Sequence, residues 1–240
     1  PGPAFGPTLE ILTVPDRRSS DRTSSATASR SGLRPRLLLA VAALLLAGTL
    51  APVVVAAPEP DPIPRRWQLD LDPGELRTAS VDVDGLGPQA YFYMTYKVTN
   101  ASGGDLLLAP SMELATDEGE VLRAGRDVPA SVTREILARL ENPFLQDQTA
   151  IVGVILQGEE NAREGLAIWP ATDLDLSEVT VFAAGFSGET APVDFTDAQT
   201  GKPGRVLLRK SLMLRYNTMG ELHPTSTAPL TLAERLWVMR

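Results

Sequence analysis

Alternating apolar and polar residues dominate the chain after residue 65. The clearest stretch is residues 91–100, where Met94, Tyr96 and Val98 fall on one face of an extended strand and Lys97 falls on the other. Every second side chain of a strand points the same way, so this stretch has one apolar face. The pattern predicts a half-buried strand with Met94, Tyr96 and Val98 against the core and Lys97 in solvent.

Similar short strands recur along the chain, separated by turn-forming residues. Turns are predicted at residues 84–88, 102–105 and 117–119, and a longer polar turn region at 158–165. The predicted strands are 77–83, 91–100, 106–115 (the first arm of a hairpin that ends at 124), 149–157, 166–169, 178–186, 205–216 and 235–239. We therefore expect seven to nine strands.

One segment has helical spacing instead. Its apolar residues between positions 127 and 140 are Val128, Val132, Ile136, Leu137 and Leu140. Asp127 is the predicted N-cap, Pro129 lies in the first turn, and Asn142 with Pro143 ends the helix. We expect this helix to cross between sheets or to cover one sheet edge. The predicted fold is mainly β: an Ig-like antiparallel β-sandwich with one inserted α-helix.

An uncharged apolar run at residues 37–57 follows Arg34 and Arg36. A basic flank, an apolar stretch and a small-residue exit make up a secretory signal, and the run is also long enough to span a bilayer. We predict that residues 34–57 are either a cleaved signal peptide or a retained signal anchor. The rest of the chain is then exported to the periplasm or cell surface. If the signal is retained, residues 37–57 anchor the protein to the inner membrane and are its contact with lipid.

The apolar run divides the chain into segments of different composition. Residues 1–33 are low in complexity and poor in apolar side chains, which predicts disorder ahead of the apolar export helix. Residues 58–64 are rich in proline and predict an extended spacer that holds the folded part off a membrane. Residues 65–240 are the predicted β-sandwich domain.

The exported part is acidic and contains no cysteine. Residues 58–240 hold 16 Lys and Arg against 27 Asp and Glu, a net charge of −11, which argues against binding to nucleic acid. Absence of cysteine removes thiol catalysis and zinc–cysteine sites. The one histidine, His223, cannot form a multi-histidine metal site, and no G-x-S-x-G motif accompanies it. The sequence predicts a loop position for His223, no cofactor and no catalytic residue.

Two groups of carboxylates have the chemistry of a site. Asp82 and Asp84 resemble part of a calcium-binding loop, but the spacing of a complete loop is missing, which favours solvent-facing positions. Glu159, Glu160 and Glu164 are candidates for a hydrolytic carboxylate pair, which must face each other across a substrate. Neighbouring glutamates on a turn are ordinarily solvated, so the sequence favours that interpretation.

The aromatic residues have two possible roles, a β-sandwich core or a sugar-stacking platform. They are Trp67, Tyr91, Phe92, Tyr93, Tyr96, Trp169 and Trp237. Their spacing favours the core. Tyr91 and Tyr93 are the exceptions, because they fall on the strand face opposite Phe92 and Met94.

The order of several short motifs resembles Ig-like domains of uncharacterised exported bacterial proteins. The motifs are Tyr96-x-Val98-x-Asn100, L-x-L-A-P at 106–110, Asp117-x-Gly119, Gly158-Glu159 before Gly165, the strand ending at Trp169, residues 181–188, Arg209-Lys210 with Tyr216, and residues 237–240. These motifs describe strands and turns across the domain. The resemblance therefore implies a fold and supplies no catalytic residue, cofactor or ligand.

Together these features predict an exported, non-catalytic interaction or structural module of the cell envelope, with a protein partner there. The alternative is a carbohydrate-binding protein, or a hydrolase with a site assembled from loops, acting outside the cytoplasmic membrane. The lack of a recognised catalytic motif in the sequence favours the first function.

Overall fold

The computed structural model describes residues 57–218, 222–223, 225–226 and 228–240. The segment 1–33 predicted to be disordered lies outside these residues, as does the predicted export segment 34–57 apart from Ala57. Within the described residues, no helix combines the length and hydropathy needed to cross a membrane.

The described chain is mainly β, with twelve strands and one helix. The strands are β1 (Asp70–Val83), β2 (Gly87–Asn100), β3 (Leu106–Leu108), β4 (Ser111–Thr116), β5 (Val121–Arg123), β6 (Leu145–Gln146), β7 (Gly153–Ile155), β8 (Gly158–Pro170), β9 (Glu178–Ala184), β10 (Thr190–Thr196), β11 (Pro203–Asn217) and β12 (Thr231–Met239). The helix, α1, spans Ala130–Leu140.

The strands form three open sheets. A four-stranded sheet has the order β1-β2-β8-β6, and a six-stranded sheet has the order β10-β11-β9-β4-β5 with β12 also paired to β11. Strands β3 and β7 form a separate pair. Pairing is antiparallel except between β6 and β8, which run parallel.

One hydrophobic core lies between the facing sides of the two larger sheets. Its members include Met94, Tyr96 and Val98 from β2 and Val181 and Leu214 from the six-stranded sheet. Phe186, two residues after β9, also packs in this core, where its ring meets the Tyr96 ring edge-on at 6.0 Å. The predicted register of β2 is confirmed: Met94, Tyr96 and Val98 are buried and Lys97 is exposed.

Helix α1 forms a third layer on the outer side of the four-stranded sheet. Val132 and Ile136 are fully buried there and pack with Val81, Tyr91 and Ile168 in a second hydrophobic cluster. The helix thus covers a sheet face, whereas we expected it to cross between sheets or cover an edge. A face was available because the outward-facing residues of β1 and β2 are also apolar.

The prediction that Asp127 is the N-cap of α1 is wrong. Pro129 occupies the cap position with an extended ψ of 144°, so helical geometry begins only at Ala130. Asp127 lies upstream in a left-handed conformation, with φ of 59°, and makes no capping hydrogen bond. The end is near the predicted position, since Glu141 adopts the left-handed conformation just before Asn142.

Two predicted turns and strands also need correction. Residues 158–165 are not a turn region but the first half of β8, where backbone pairing to β2 holds polar side chains in a strand. Residues 106–115 divide at Ala109-Pro110 into β3 and β4, and only β4 forms the hairpin with β5. The predicted strand 149–157 shrinks to β7, because Asp147 accepts hydrogen bonds from the N–H groups of Thr149 and Ala150 in a turn.

Candidate interaction surface

A hairpin formed by β10 and the first half of β11 extends the six-stranded sheet. Cross-strand pairs run from Thr190 with Arg209 to Thr196 with Pro203. The Asp197 carboxylate accepts hydrogen bonds from the N–H groups of Gln199 and Thr200 and so closes the loop between the strands. These bonds lower the pKa of Asp197, since they favour its charged form.

One face of this hairpin is apolar along its whole length. Directly paired residues of an antiparallel ladder share a face, which places Ala191 beside Leu208 and Val193 beside Val206. Phe195 lies opposite Gly204 on the same face. Its ring covers Gly204 so closely that a Cβ at position 204 would lie 2.6 Å from the ring. We call these five apolar side chains, together with Gly204, the hairpin face.

The hairpin face continues the core-facing side of β11. Side chains alternate along a strand, so Val206 and Leu208 point the same way as the buried Leu212 and Leu214 further along β11. At the core end an opposing sheet covers this side. At the hairpin end, Phe195 is 48% exposed and Val206 is 43% exposed. On this side of β11 the buried Lys210 lies between Leu212 and Leu208, and apolar side chains continue beyond it into solvent.

The opposite face of the hairpin is mixed. Asp194 and Arg205 form a bidentate ion pair, with an Nε–Oδ1 distance of 2.6 Å. The Arg205 guanidinium lowers the pKa of Asp194. Both side chains are largely exposed, so this pair contributes little to stability. Pro192 and Leu207 share this face, and Leu207 is exposed.

The structure places the carboxylates that the sequence singled out on β1, in the turn after it and on β8. Asp82 and Asp84 are exposed at the end of β1 and in the following turn. Among the described residues, no group of three or more His, Asp or Glu side chains could hold a metal ion. His223 is exposed, and its carbonyl oxygen accepts a hydrogen bond from the Thr78 hydroxyl at 3.2 Å. It occupies a loop, as predicted.

The three glutamates of the predicted turn lie on β8. Glu159 and Glu160 are exposed, whereas Glu164 accepts a hydrogen bond from Asn142 Nδ2 at 2.5 Å. The aromatic residues go mainly to the core, with Trp169 completely buried. Tyr91 is buried beneath α1 and Tyr93 packs beside it, so the face that stood out in the sequence is covered by the helix.

The hairpin face was missed in the sequence, because β10 was not among the predicted strands. A signal was present: Ala191, Val193 and Phe195 alternate with polar residues or proline. Asp197 and Gly201, with φ of 66° at Gly201, mark the loop. Proline at position 192 obscures the pattern, since proline is found in sheets mainly on edge strands.

Comparisons with known proteins give no further assignment. No family model, curated protein or solved structure matches this chain.

Proposed function

We propose that this chain is an exported, non-catalytic interaction module of the cell envelope that binds a protein partner through the hairpin face. The observation that carries the proposal is the exposed apolar face of the hairpin, where the paired residues of β10 and β11 place five apolar side chains together. Contiguous exposed apolar surface of this kind marks interaction sites in soluble domains. Phe195 and Val206 supply the side chains that a partner would bury.

The chemistry around the hairpin face supports a protein rather than a polyanion as the partner. The exported part carries a net charge of −11, which disfavours nucleic acid and anionic lipid surfaces. The apolar side chains of the hairpin face match the apolar centre of a protein interface.

The proposed location depends on the sequence before the domain. Arg34 and Arg36 precede the uncharged run 37–57, which favours export of everything that follows. In the proposed arrangement the domain lies in the periplasm or at the cell surface. It is either free after signal cleavage or held at the inner membrane by residues 37–57.

We also propose that the domain is an Ig-like β-sandwich. Two points support this: the two larger sheets share one core, and nearly all strand pairs are antiparallel. The parallel β6–β8 pair and the helix on the outer face are additions to that plan.

The partner proposal is tested by placing polar residues on the hairpin face in producing cells. Phe195→Ser with Val206→Ser removes the two most exposed apolar side chains of that face. We expect the unaltered protein to migrate in a complex larger than its 25.7 kDa chain when envelope extracts are separated on native gels. The double variant should migrate as the single chain.

A matched control is Phe144→Ser, because Phe144 is 76% exposed and lies just before β6. This variant should remain in the larger complex. Phe144→Ser should melt at nearly the same temperature as the unaltered protein, since exposed substitutions change stability by about 0.5 kcal/mol or less, and the double variant should still unfold in one cooperative transition. Equal loss of the complex in the control, or its survival in the double variant, contradicts the proposal.

A further inference from the structure

The proline-rich residues 57–64, which include the predicted extended spacer 58–64, lie against the folded domain. With Trp237 and Met239 of β12 and Lys210 of β11 they border a groove of about 620 Å³. The segment has no helix or strand of its own. Its position must therefore come from contacts with the groove.

Two hydrogen bonds hold the segment, and both are made to its backbone. The Asp61 N–H donates to Glu189 Oε1 at 2.7 Å, and Lys210 Nζ donates to the Asp61 carbonyl oxygen at 3.2 Å. Glu189 and Lys210 thus bind the two main-chain groups of a single residue. These two contacts use only the backbone at position 61, while the Asp61 carboxylate pairs with Arg65 at 3.2 Å, an ion pair that Asp61→Pro and Asp61→Ala both remove.

The pair that makes these contacts is almost withdrawn from water. Lys210 Nζ lies 2.9 Å from Glu189 Oε2, and the side chains are 4% and 13% exposed. Lys210 also lies over the Trp237 ring, 5.6 Å from its centroid. A buried ion pair is favourable only when its remaining donors and acceptors are also satisfied. Here the Asp61 N–H donates to the Glu189 carboxylate, and the Asp61 carbonyl oxygen accepts from the Lys210 ammonium. The hydrogen bonds of the ion pair are therefore satisfied by a backbone bound beside it.

The charge state of Glu189 agrees with this geometry. Burial alone would raise its pKa, but the Asp61 N–H, the Lys210 ammonium and the nearby Arg65 outweigh burial, and the pKa is lowered. The carboxylate is therefore held in the charged form that accepts from both donors.

The composition of the segment suits a groove of this kind. Proline occupies positions 58, 60, 62 and 64, and these residues border the groove together with Trp237; Pro58 and Pro60 are half-buried, and Pro62 and Pro64 are exposed. Proline-rich segments lose little conformational entropy when bound, because they are already extended, and grooves lined by aromatic residues bind them for that reason.

We propose that the groove bordered by Lys210 and Trp237, with Glu189 bonded to Lys210 beside it, is a binding site for an extended proline-rich segment, and that residues 57–64 are its intramolecular ligand. The same segment of a second copy fits the groove equally well. In the intact chain, the segment of a second copy is kept out of the groove, because the chain's own tethered segment is present at a high effective concentration. The site adjoins the hairpin face, because Glu189 and Lys210 lie beside Ala191 and Leu208 on the same side at the base of the hairpin, but it uses none of the hairpin-face side chains.

The test uses the full chain with Asp61→Pro, which removes the N–H donor and keeps an extended backbone. Asp61→Ala is the matched control, since it keeps the N–H. A fluorescent peptide of residues 57–66 should bind the Asp61→Pro chain saturably, as measured by anisotropy. It should bind the Asp61→Ala and unaltered chains at least ~10-fold more weakly, because their own segment competes. A peptide with proline at position 61 should not bind the Asp61→Pro chain.

Tryptic cleavage after Arg65 and Arg66 reports whether the tethered segment has been released. Cleavage should be faster in the Asp61→Pro chain than in the Asp61→Ala chain. The proposal is overturned if the released chain does not bind the peptide, if the proline-61 peptide binds equally well, or if Asp61→Pro leaves cleavage unchanged.

A measurement on the unaltered chain covers the case in which Asp61→Pro does not fold. The Asp61 amide should exchange with deuterium at least ~100-fold more slowly than an unprotected amide, because it is bonded to a buried carboxylate. Glu189→Gln should accelerate that exchange. Exchange at the unprotected rate in the unaltered chain overturns the proposal.

Discussion

Gly165 is the position at which a one-carbon change should damage the core most clearly. It lies on β8 directly opposite Tyr96 on β2, and both residues are buried. A Cβ at position 165 would lie 2.5 Å from the Tyr96 hydroxyl oxygen and 2.6 Å from Ile151 Cδ1. The Tyr96 side chain cannot move far from such a Cβ, because its ring already packs edge-on against Phe186.

The size of the effect follows from these distances. Carbon atoms in contact sit about 3.5–4.0 Å apart, so each neighbour must move by roughly 1 Å. Overpacking of this kind costs about 1–3 kcal/mol. In a domain of this size 1 kcal/mol shifts Tm by about 2–4 °C, so Gly165→Ala should lower Tm by about 2–12 °C.

Urea and thermal denaturation of the purified protein measure this change. Gly104→Ala is the control. A Cβ added at position 104 would have no atom within 4 Å, so this substitution should have almost no effect on stability. Combining Gly165→Ala with Tyr96→Leu should cost less than the sum of the two single changes, since the shorter side chain frees the space. A Gly165→Ala protein as stable as the unaltered one, or strict additivity in the double variant, refutes the packing argument.

Four further outcomes are expected. Because the pKa of Glu189 is lowered, its charge should stabilise the fold above the ordinary glutamate value of about 4.3, and this gain should vanish as pH falls through its lower folded value. The stability difference between the unaltered and Glu189→Gln proteins, from urea unfolding, should therefore be constant from about pH 5 to 8 and shrink in more acidic buffer. Melting scans with tens of millimolar calcium or with chelator should give the same Tm; a rise of several degrees that disappears with Asp82→Asn and Asp84→Asn contradicts this. Ile136→Ala should cost about 2–5 kcal/mol in denaturant unfolding, because it opens a cavity between α1 and the sheet. Protease added to intact spheroplasts should digest residues 65–240, and protection until lysis contradicts export.

The parts of the fold set by local pattern were predictable from sequence. Residues 91–100 alternate without interruption, so the buried side of β2 follows from the period of the strand. The period of 3.6 residues likewise located α1, although not its first residue. Pro129 decides that point, because its extended ψ delays the start of the helix.

The parts that depend on distant partners were not predictable. Residues 158–165 contain two glycines and three glutamates, which is typical of a turn, yet pairing with β2 makes them a strand. Gly165 is needed there because the Tyr96 ring fills the space of a side chain. The bond between Asp61 and Glu189 joins positions 128 residues apart, and no local pattern indicates that these two residues meet.

The most direct test of the proposed function is site-specific photo-crosslinking in producing cells. A photoreactive phenylalanine analogue is placed at position 195 on the hairpin face, or at position 144 as the exposed control. We expect a discrete protein adduct in the envelope fraction from position 195, which disappears when Val206→Asp is added, and no such adduct from position 144. No adduct at position 195, or the same adduct from both positions, contradicts an interaction through the hairpin face.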